Sequence, residues 1–139
     1  MRVPRERALA QVPLFAHCSE KELEYVAGRA DEVDVPAGRE LVRQGEPAES
    51  FHVLLSGEAS VQVDGNPRPG LGPGDFFGEI SMLDRGPATA TIVTTSPARI
   101  MVMSHAQFRD AIKANDDLLV RVMATMGARL RADAQTRIG

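Results

Sequence analysis

Between residues 30 and 103, turn-forming residues interrupt the chain about every 8–12 positions, too often for a helix of ordinary length. Val33 and Val35 alternate ahead of Pro36-Ala37-Gly38, and Leu41-Val42 runs directly into Gln44-Gly45-Glu46-Pro47. Phe51, Val53 and Leu55 alternate with His52, Leu54 and Ser56 before a reversal at Gly57. Val61 and Val63 lead into Asp64-Gly65, a strong short-range hairpin signal. Residues 89–95 are rich in β-branched side chains, and residues 100–103 close the series. The pattern predicts an all-β sandwich or barrel, read here as a β-roll flanked by helices.

The flanks carry helix signals. Residues 5–11 form a short helical stretch that Val12-Pro13 closes, because a residue before proline avoids the α region. Ser19-Glu20-Lys21-Glu22 is a capping box, which opens a helix from Lys21 to about Arg29 with Gly28 near its fraying end. A second capping box, Ser104-His105-Ala106-Gln107, opens a helix from His105 to about Ala114, and Asn115-Asp116-Asp117 interrupts and recaps. In the last helix Leu119, Val122, Met123, Met126 and Leu130 form an apolar stripe, with Gly127 beside it and Arg121, Arg129 and Arg131 largely off it. The plain reading packs this stripe on the roll. The sharper readings make it a dimer seam or a movable lid.

Composition removes several function classes. Nineteen acids against sixteen bases give a net charge of −3, which disfavours nucleic acid as a partner of this chain, since such binding rests on clustered Lys and Arg. No apolar run approaches the roughly 18 residues needed to cross a bilayer, and Met1-Arg2-Val3-Pro4-Arg5-Glu6-Arg7 lacks the apolar core of a secretory signal. The lone Cys18 excludes an internal disulfide and fits a cytoplasmic setting. His17, His52 and His105 are scattered, so no metal site is expected. Cys18 beside His17 in an unsupported turn makes a poor nucleophile pair, and His52 on a strand reads as a satisfied structural histidine. No acid/base pair or triad points to catalysis.

The densest segment is Gly70-Leu71-Gly72-Pro73-Gly74-Asp75-Phe76-Phe77-Gly78-Glu79-Ile80-Ser81-Met82-Leu83. Glycines here permit left-handed backbone and close approach of a ligand. A short helix starting at Glu79 would turn the free N–H groups around Ile80 and Ser81 toward an anion. A carboxylate at Glu79 repels bare phosphate but accepts from a hydroxyl, so a sugar phosphate fits better. The spacing is neither a dinucleotide fingerprint nor a P-loop. A glycine-rich corner without ligand is the alternative, and Asp75 and Asp84 read as turn and capping residues.

The run from Gly74 to Leu83, followed by Pro87-Ala88-Thr89-Ala90-Thr91, resembles the phosphate-binding cassette of the cyclic nucleotide-binding domain. That family includes catabolite-activator-type regulators and regulatory subunits of cAMP-dependent kinase. Upstream, Gln44-Gly45-Glu46-Pro47-Ala48-Glu49-Ser50-Phe51-His52-Val53-Leu54-Leu55-Ser56-Gly57 resembles the family's glycine-bearing strand pair, and the likeness spans roughly residues 12–131. It implies one domain over 1–139: N-terminal helices over 1–29, an eight-stranded β-roll (double-stranded β-helix or jelly-roll) over 30–103 with its cassette at 74–91, and two C-terminal helices over 104–137. It also implies ligand contacts. Gly78 offers its N–H, Glu79 accepts from the ribose 2′-OH, and Ile80 and Ser81 present amides to the cyclic phosphate. Thr89 adds a hydroxyl near phosphate or base, and Ala88 and Ala90 line the site. Phe77 and Ile80 pack inward, while Met82 and Leu83 close the cassette helix on the roll. Met123, Met126 and Leu130 are the candidate lid.

One position departs from the family pattern. Members that bind cyclic nucleotides carry an arginine after the cassette proline, where this chain has Ala88. Losing one partner of a buried charge pair costs about 2–5 kcal/mol. Four explanations stand: Arg85 substitutes as the phosphate contact, the fold is degenerate and serves partner contacts, the alanine is engineered, or the ligand is a different, less anionic one. The expected function is a non-catalytic regulatory domain for cAMP or cGMP without a further cofactor, with weakened affinity. The alternative is a nucleotide-free module that forms a homodimer through its C-terminal helix or docks on an unidentified effector protein.

Overall fold

In the computed structural model, which describes residues 9–16 and 18–138, the turn residues divide the middle of the chain into eight strands. They are β1 (Asp31–Val35), β2 (Glu40–Val42), β3 (Ser50–Ser56), β4 (Ala59–Val63), β5 (Asn66–Leu71), β6 (Phe76–Phe77), β7 (Thr91–Thr94) and β8 (Ala98–Ser104). Two four-stranded antiparallel sheets result, ordered β1-β8-β3-β6 and β2-β7-β4-β5. Asp64 (φ 54°) and Gly65 (φ 77°) both take the positive φ that a two-residue hairpin demands, and Val63 pairs with Asn66 across them.

Strand β5 is implied by the hairpin signal at Asp64-Gly65, but its own residues carry no strand signal. Its Asn-Pro-Arg-Pro-Gly-Leu composition is poor in strand formers. It survives because it is the edge of its sheet, where a proline need not donate to a neighbour.

Among the described residues, four helices of six residues or more flank the roll: α1 (Glu20–Arg29), α2 (Glu79–Asp84), α3 (His105–Ala114) and α4 (Asp116–Ile138). Both capping boxes close as expected. Ser19 Oγ accepts from the Glu22 N–H at 3.2 Å while the Ser19 N–H donates to Glu22 Oε1 at 2.8 Å, and Ser104 and Gln107 repeat this at 3.2 and 2.7 Å. Helix α1 ends at Arg29, one residue past Gly28, as expected. Of the expected 5–11 helix, residues 5–8 lie outside the described residues, while Leu9 and Ala10 are helical.

The main core lies between the β1-β8-β3-β6 sheet and the helices, centred on Phe51, whose ring lies 4.7 Å from Phe108 and 5.5 Å from Phe76. Leu54, Ile100, Phe77 and Ile92 fill the roll itself. The buried face of α4 differs from the stripe read in sequence. Leu118, Val122 and, in part, Met126 face the core at i, i+4 and i+8, whereas Met123 and Leu130 are exposed. Helical periodicity tolerates either choice. The selection comes from Leu118 fitting against the main core and from Arg129 turning inward.

Candidate functional site

Alternation along the two-residue β6 sends Phe76 to the helix side and Phe77 into the roll. The chain then turns sharply at Gly78, in left-handed conformation (φ 90°, ψ 1°), and α2 begins at Glu79. A Cβ at Gly78 would stand 2.5 Å from the Ser50 carbonyl oxygen, so neither the conformation nor the space admits a side chain. The Met82 N–H donates to the Gly78 carbonyl at 3.2 Å, which leaves the N–H groups of Glu79, Ile80 and Ser81 without partners inside the helix. Glu79 is 4% exposed and Ser81 3%, and the Ser81 hydroxyl donates to the Pro87 carbonyl at 3.3 Å.

A residue outside the sequence-derived site completes it. From α4, Arg129 Nη1 donates to Glu79 Oε1 at 2.7 Å, Nη2 donates to the Phe76 carbonyl, and the guanidinium lies 4.9 Å from the Phe76 ring centre. Glu79 is thus a buried carboxylate neutralised by a half-exposed cation from the last helix. Among the described residues, Glu79 Oε2 has no hydrogen-bond partner. The sequence signal for Arg129 is faint: it sits one turn beyond Thr125 on the side of α4 that faces the cassette, and only tertiary packing identifies that side.

The other expected contacts are placed as follows. Phe77 packs inside the roll, and Met82 is buried in the main core. Ile80 is 37% exposed instead of inward: α2 turns Glu79 and Met82 to the interior, which puts Ile80 on the far side. Leu83's side chain lies outside what is described. Ala88 is buried, and its backbone is pinned by Ala88 N–H to the Glu46 carbonyl and Gly45 N–H to the Ala88 carbonyl, both 2.9 Å. Thr89 is exposed and Ala90 half-buried. Arg85 closes α2, and its Nη2 lies 3.2 Å from His105 Nδ1. Asp75 and Asp84 do cap turns, accepting from the Gly72 and Gly86 N–H groups at 2.8 and 2.7 Å.

Of the candidate lid, Met126 packs on the main core while Met123 (58%) and Leu130 (68%) face outward, so the contact from α4 to the cassette is made by Arg129. His52 stacks flat on Phe77, with ring centres 4.6 Å apart and planes 6° apart. Among the described residues its buried Nδ1 has no hydrogen-bond partner, unlike the satisfied histidine expected from sequence, and burial pushes its pKa down to about 4 against the opposing effect of the Ser50 backbone. Cys18 accepts a hydrogen bond from Asn115 Nδ2 at 2.9 Å, and burial pushes the thiol up, away from reactivity. His17 lies outside the described residues. Among the described residues no group of His, Cys, Asp and Glu is arranged to hold a metal, and no helix is long and apolar enough to cross a membrane.

Comparison with known proteins agrees with this geometry. The family model for the cyclic nucleotide-binding domain matches residues 32–115. The chain is 30% identical over 118 residues to the cAMP-dependent protein kinase regulatory subunit of Aspergillus niger, covering 84% of this chain and 29% of that protein. The chain therefore spans less than a third of the length of that relative. Among solved structures it superposes on the catabolite activator protein of Thermus thermophilus with a TM-score of 0.79 at 24% identity, covering 91% of this chain and 62% of that one. It superposes on a mutant form of a cAMP-binding acyltransferase from Mycobacterium smegmatis with a TM-score of 0.76 at 32% identity, covering 92% and 41%, so enzymes also carry this fold. With the cassette, the two-sheet roll and the family model all in agreement, the chain belongs to the cyclic nucleotide-binding domain family.

Proposed function

We propose that this chain is a cytoplasmic, non-catalytic regulatory domain that binds cAMP or cGMP, with affinity lowered by the alanine at position 88. The observation that carries the reading is Glu79, buried directly after left-handed Gly78 and joined to Arg129 of α4. In this reading the ribose 2′-OH donates to Glu79 Oε2 while Oε1 stays with Arg129, and the amides at the start of α2 meet the cyclic phosphate. Because one carboxylate serves both ligand and last helix, occupancy of the site and the seating of α4 are coupled, which shifts populations between conformers that a partner can read.

Titration calorimetry with cAMP, cGMP and 2′-deoxy-cAMP tests this. The native chain is expected to bind the ribose-bearing ligands. Glu79→Gln removes a charged hydrogen bond acceptor worth about 1.5–3 kcal/mol, so cAMP binding should weaken about tenfold or more while 2′-deoxy-cAMP is unaffected by the change. Equal losses for both ligands would contradict the assignment of Glu79 to the ribose.

A second reading, a nucleotide-free association module, is favoured by Ala88 together with Val120, Met123 and Leu130, which stand exposed along α4. It requires the native chain to stay silent in that titration and to self-associate in sedimentation.

A further inference from the structure

Strand β6 is two residues long and lies at the edge of its sheet, with β3 as its strand partner. It is also the strand that delivers Gly78 and Glu79. Its start is held by the Leu54 N–H on the Asp75 carbonyl at 2.8 Å and the Gly74 N–H on the Leu54 carbonyl at 2.7 Å, and its end by the close seat of Gly78 on Ser50. Between these points Phe77 stands opposite His52 in the register. Phe51 and Val53 point to the main core, so His52 points with Phe77 into the roll, where the two rings stack flat. The His52 ring is therefore the surface on which the last residue before the cassette turn rests.

That surface suits the neutral imidazole and not the cation. A proton on Nδ1 would be buried with no acceptor among the described residues. The charged groups of the surrounding elements are engaged elsewhere: Asp75 with the Gly72 N–H, Glu79 with Arg129, Asp84 with the Gly86 N–H, and Arg99 of β8 with Glu32 and Asp34. Across the roll, the β2-β7-β4-β5 sheet carries Glu40, paired with Arg43, and Arg68 on its edge strand. Helix α3 packs on the opposite face of β3 through Phe108 and Ala111. What acts on the ring is burial, which disfavours the proton, and the weaker opposing effect of the Ser50 backbone. We propose that His52 is a proton-responsive latch on the cassette: when the ring takes up a proton it leaves Phe77, β6 lifts from β3, and the site loses its hold on the nucleotide. With a pKa of about 4 when seated and the ordinary 6.5 when released, the seat is intact above about pH 6.5 and loses stability as pH falls toward 4. The loss of nucleotide rests on the cyclic nucleotide reading above, whereas the release of β6 does not.

Amide hydrogen exchange of the full chain without ligand, at pH 7 and pH 5 and corrected for intrinsic rates, tests the release. Opening read at the Gly74 and Leu54 amides, which bridge β3 and the start of β6, should rise about 20-fold at pH 5. Amides of the β1–β8 ladder should change far less. His52→Phe, which keeps an aromatic ring on Phe77, and His52→Gln, which keeps a polar group, cannot take up the proton, and both should lose the rise. His105→Gln should retain it. Calorimetry with cAMP should show affinity falling at pH 5 in the native chain and holding in His52→Phe. No rise in the native chain, an equal rise in the His52 variants, or a uniform rise across both ladders overturns the inference; the last would make His52 a residue of global stability alone. An affinity that holds at pH 5 in the native chain overturns it as well. Silence toward cAMP at both pH values overturns the nucleotide reading, and exchange then decides the release of β6 by itself.

Discussion

Ala88→Arg is expected to tighten cAMP binding by about 2–5 kcal/mol, or about 30-fold to a few thousandfold. The Ala88 backbone is held from both sides by Gly45 and Glu46, so a new side chain would leave from a fixed Cα. Ser81, whose amide is free at the start of α2, is tied to Pro87 immediately before that position. A guanidinium there would meet the cyclic phosphate as two charged groups shielded from water, which is where such pairs gain most. Calorimetry at two salt concentrations checks this, because the added contact should weaken as salt rises. A variant that folds and binds no better than the native chain would mean that no phosphate lies beside position 88.

Gly78→Ala is expected to destabilise the protein by about 2–5 kcal/mol and to remove measurable nucleotide binding. Two costs combine. A side chain at φ 90° is strained, and its Cβ would lie 2.5 Å from the Ser50 carbonyl oxygen. That carbonyl cannot retreat freely, because Ser50 is paired with Ser104 at the start of the β3–β8 ladder. The strain therefore falls on the turn that aims Glu79 and the α2 amides. Gly72→Ala is the control, since nothing lies within 4 Å of a Cβ there and its φ is not positive; it should leave melting temperature and binding nearly unchanged. Equal melting temperatures for the Gly78 and Gly72 variants would contradict the description of this turn.

Local chemistry explains which parts of the fold were legible in the sequence. Ser19 with Glu22 and Ser104 with Gln107 specify helix starts through bonds three residues apart, and Asp64-Gly65 specifies a hairpin through its own backbone preferences. The turn into α2 was legible because the left-handed Gly78 and the helix start at Glu79 follow from their adjacency. Strand β5 was not, since its prolines are tolerated only by virtue of its edge position. The face of α4 was ambiguous for a related reason: Leu118 and Leu119 both suit a helical stripe, and only the packed partner selects Leu118. Arg129 lies 50 residues from Glu79, and charge patterning within one helix carries no trace of such a partner. His52 follows the same logic, because its stacking on Phe77 is decided by the β3–β6 register.

The proposed coupling of Glu79 to both ligand and last helix is most directly tested by amide hydrogen exchange on the native chain, with and without millimolar cAMP. Added protection is predicted at residues 78–82, where free amides meet the phosphate, and in α4 around Arg129, with the β2-β7-β4-β5 sheet changed far less. Binding detected by calorimetry with no change in exchange at residues 78–82 would place the ligand elsewhere. Protection of the cassette without any change in α4 would contradict the coupling through Arg129.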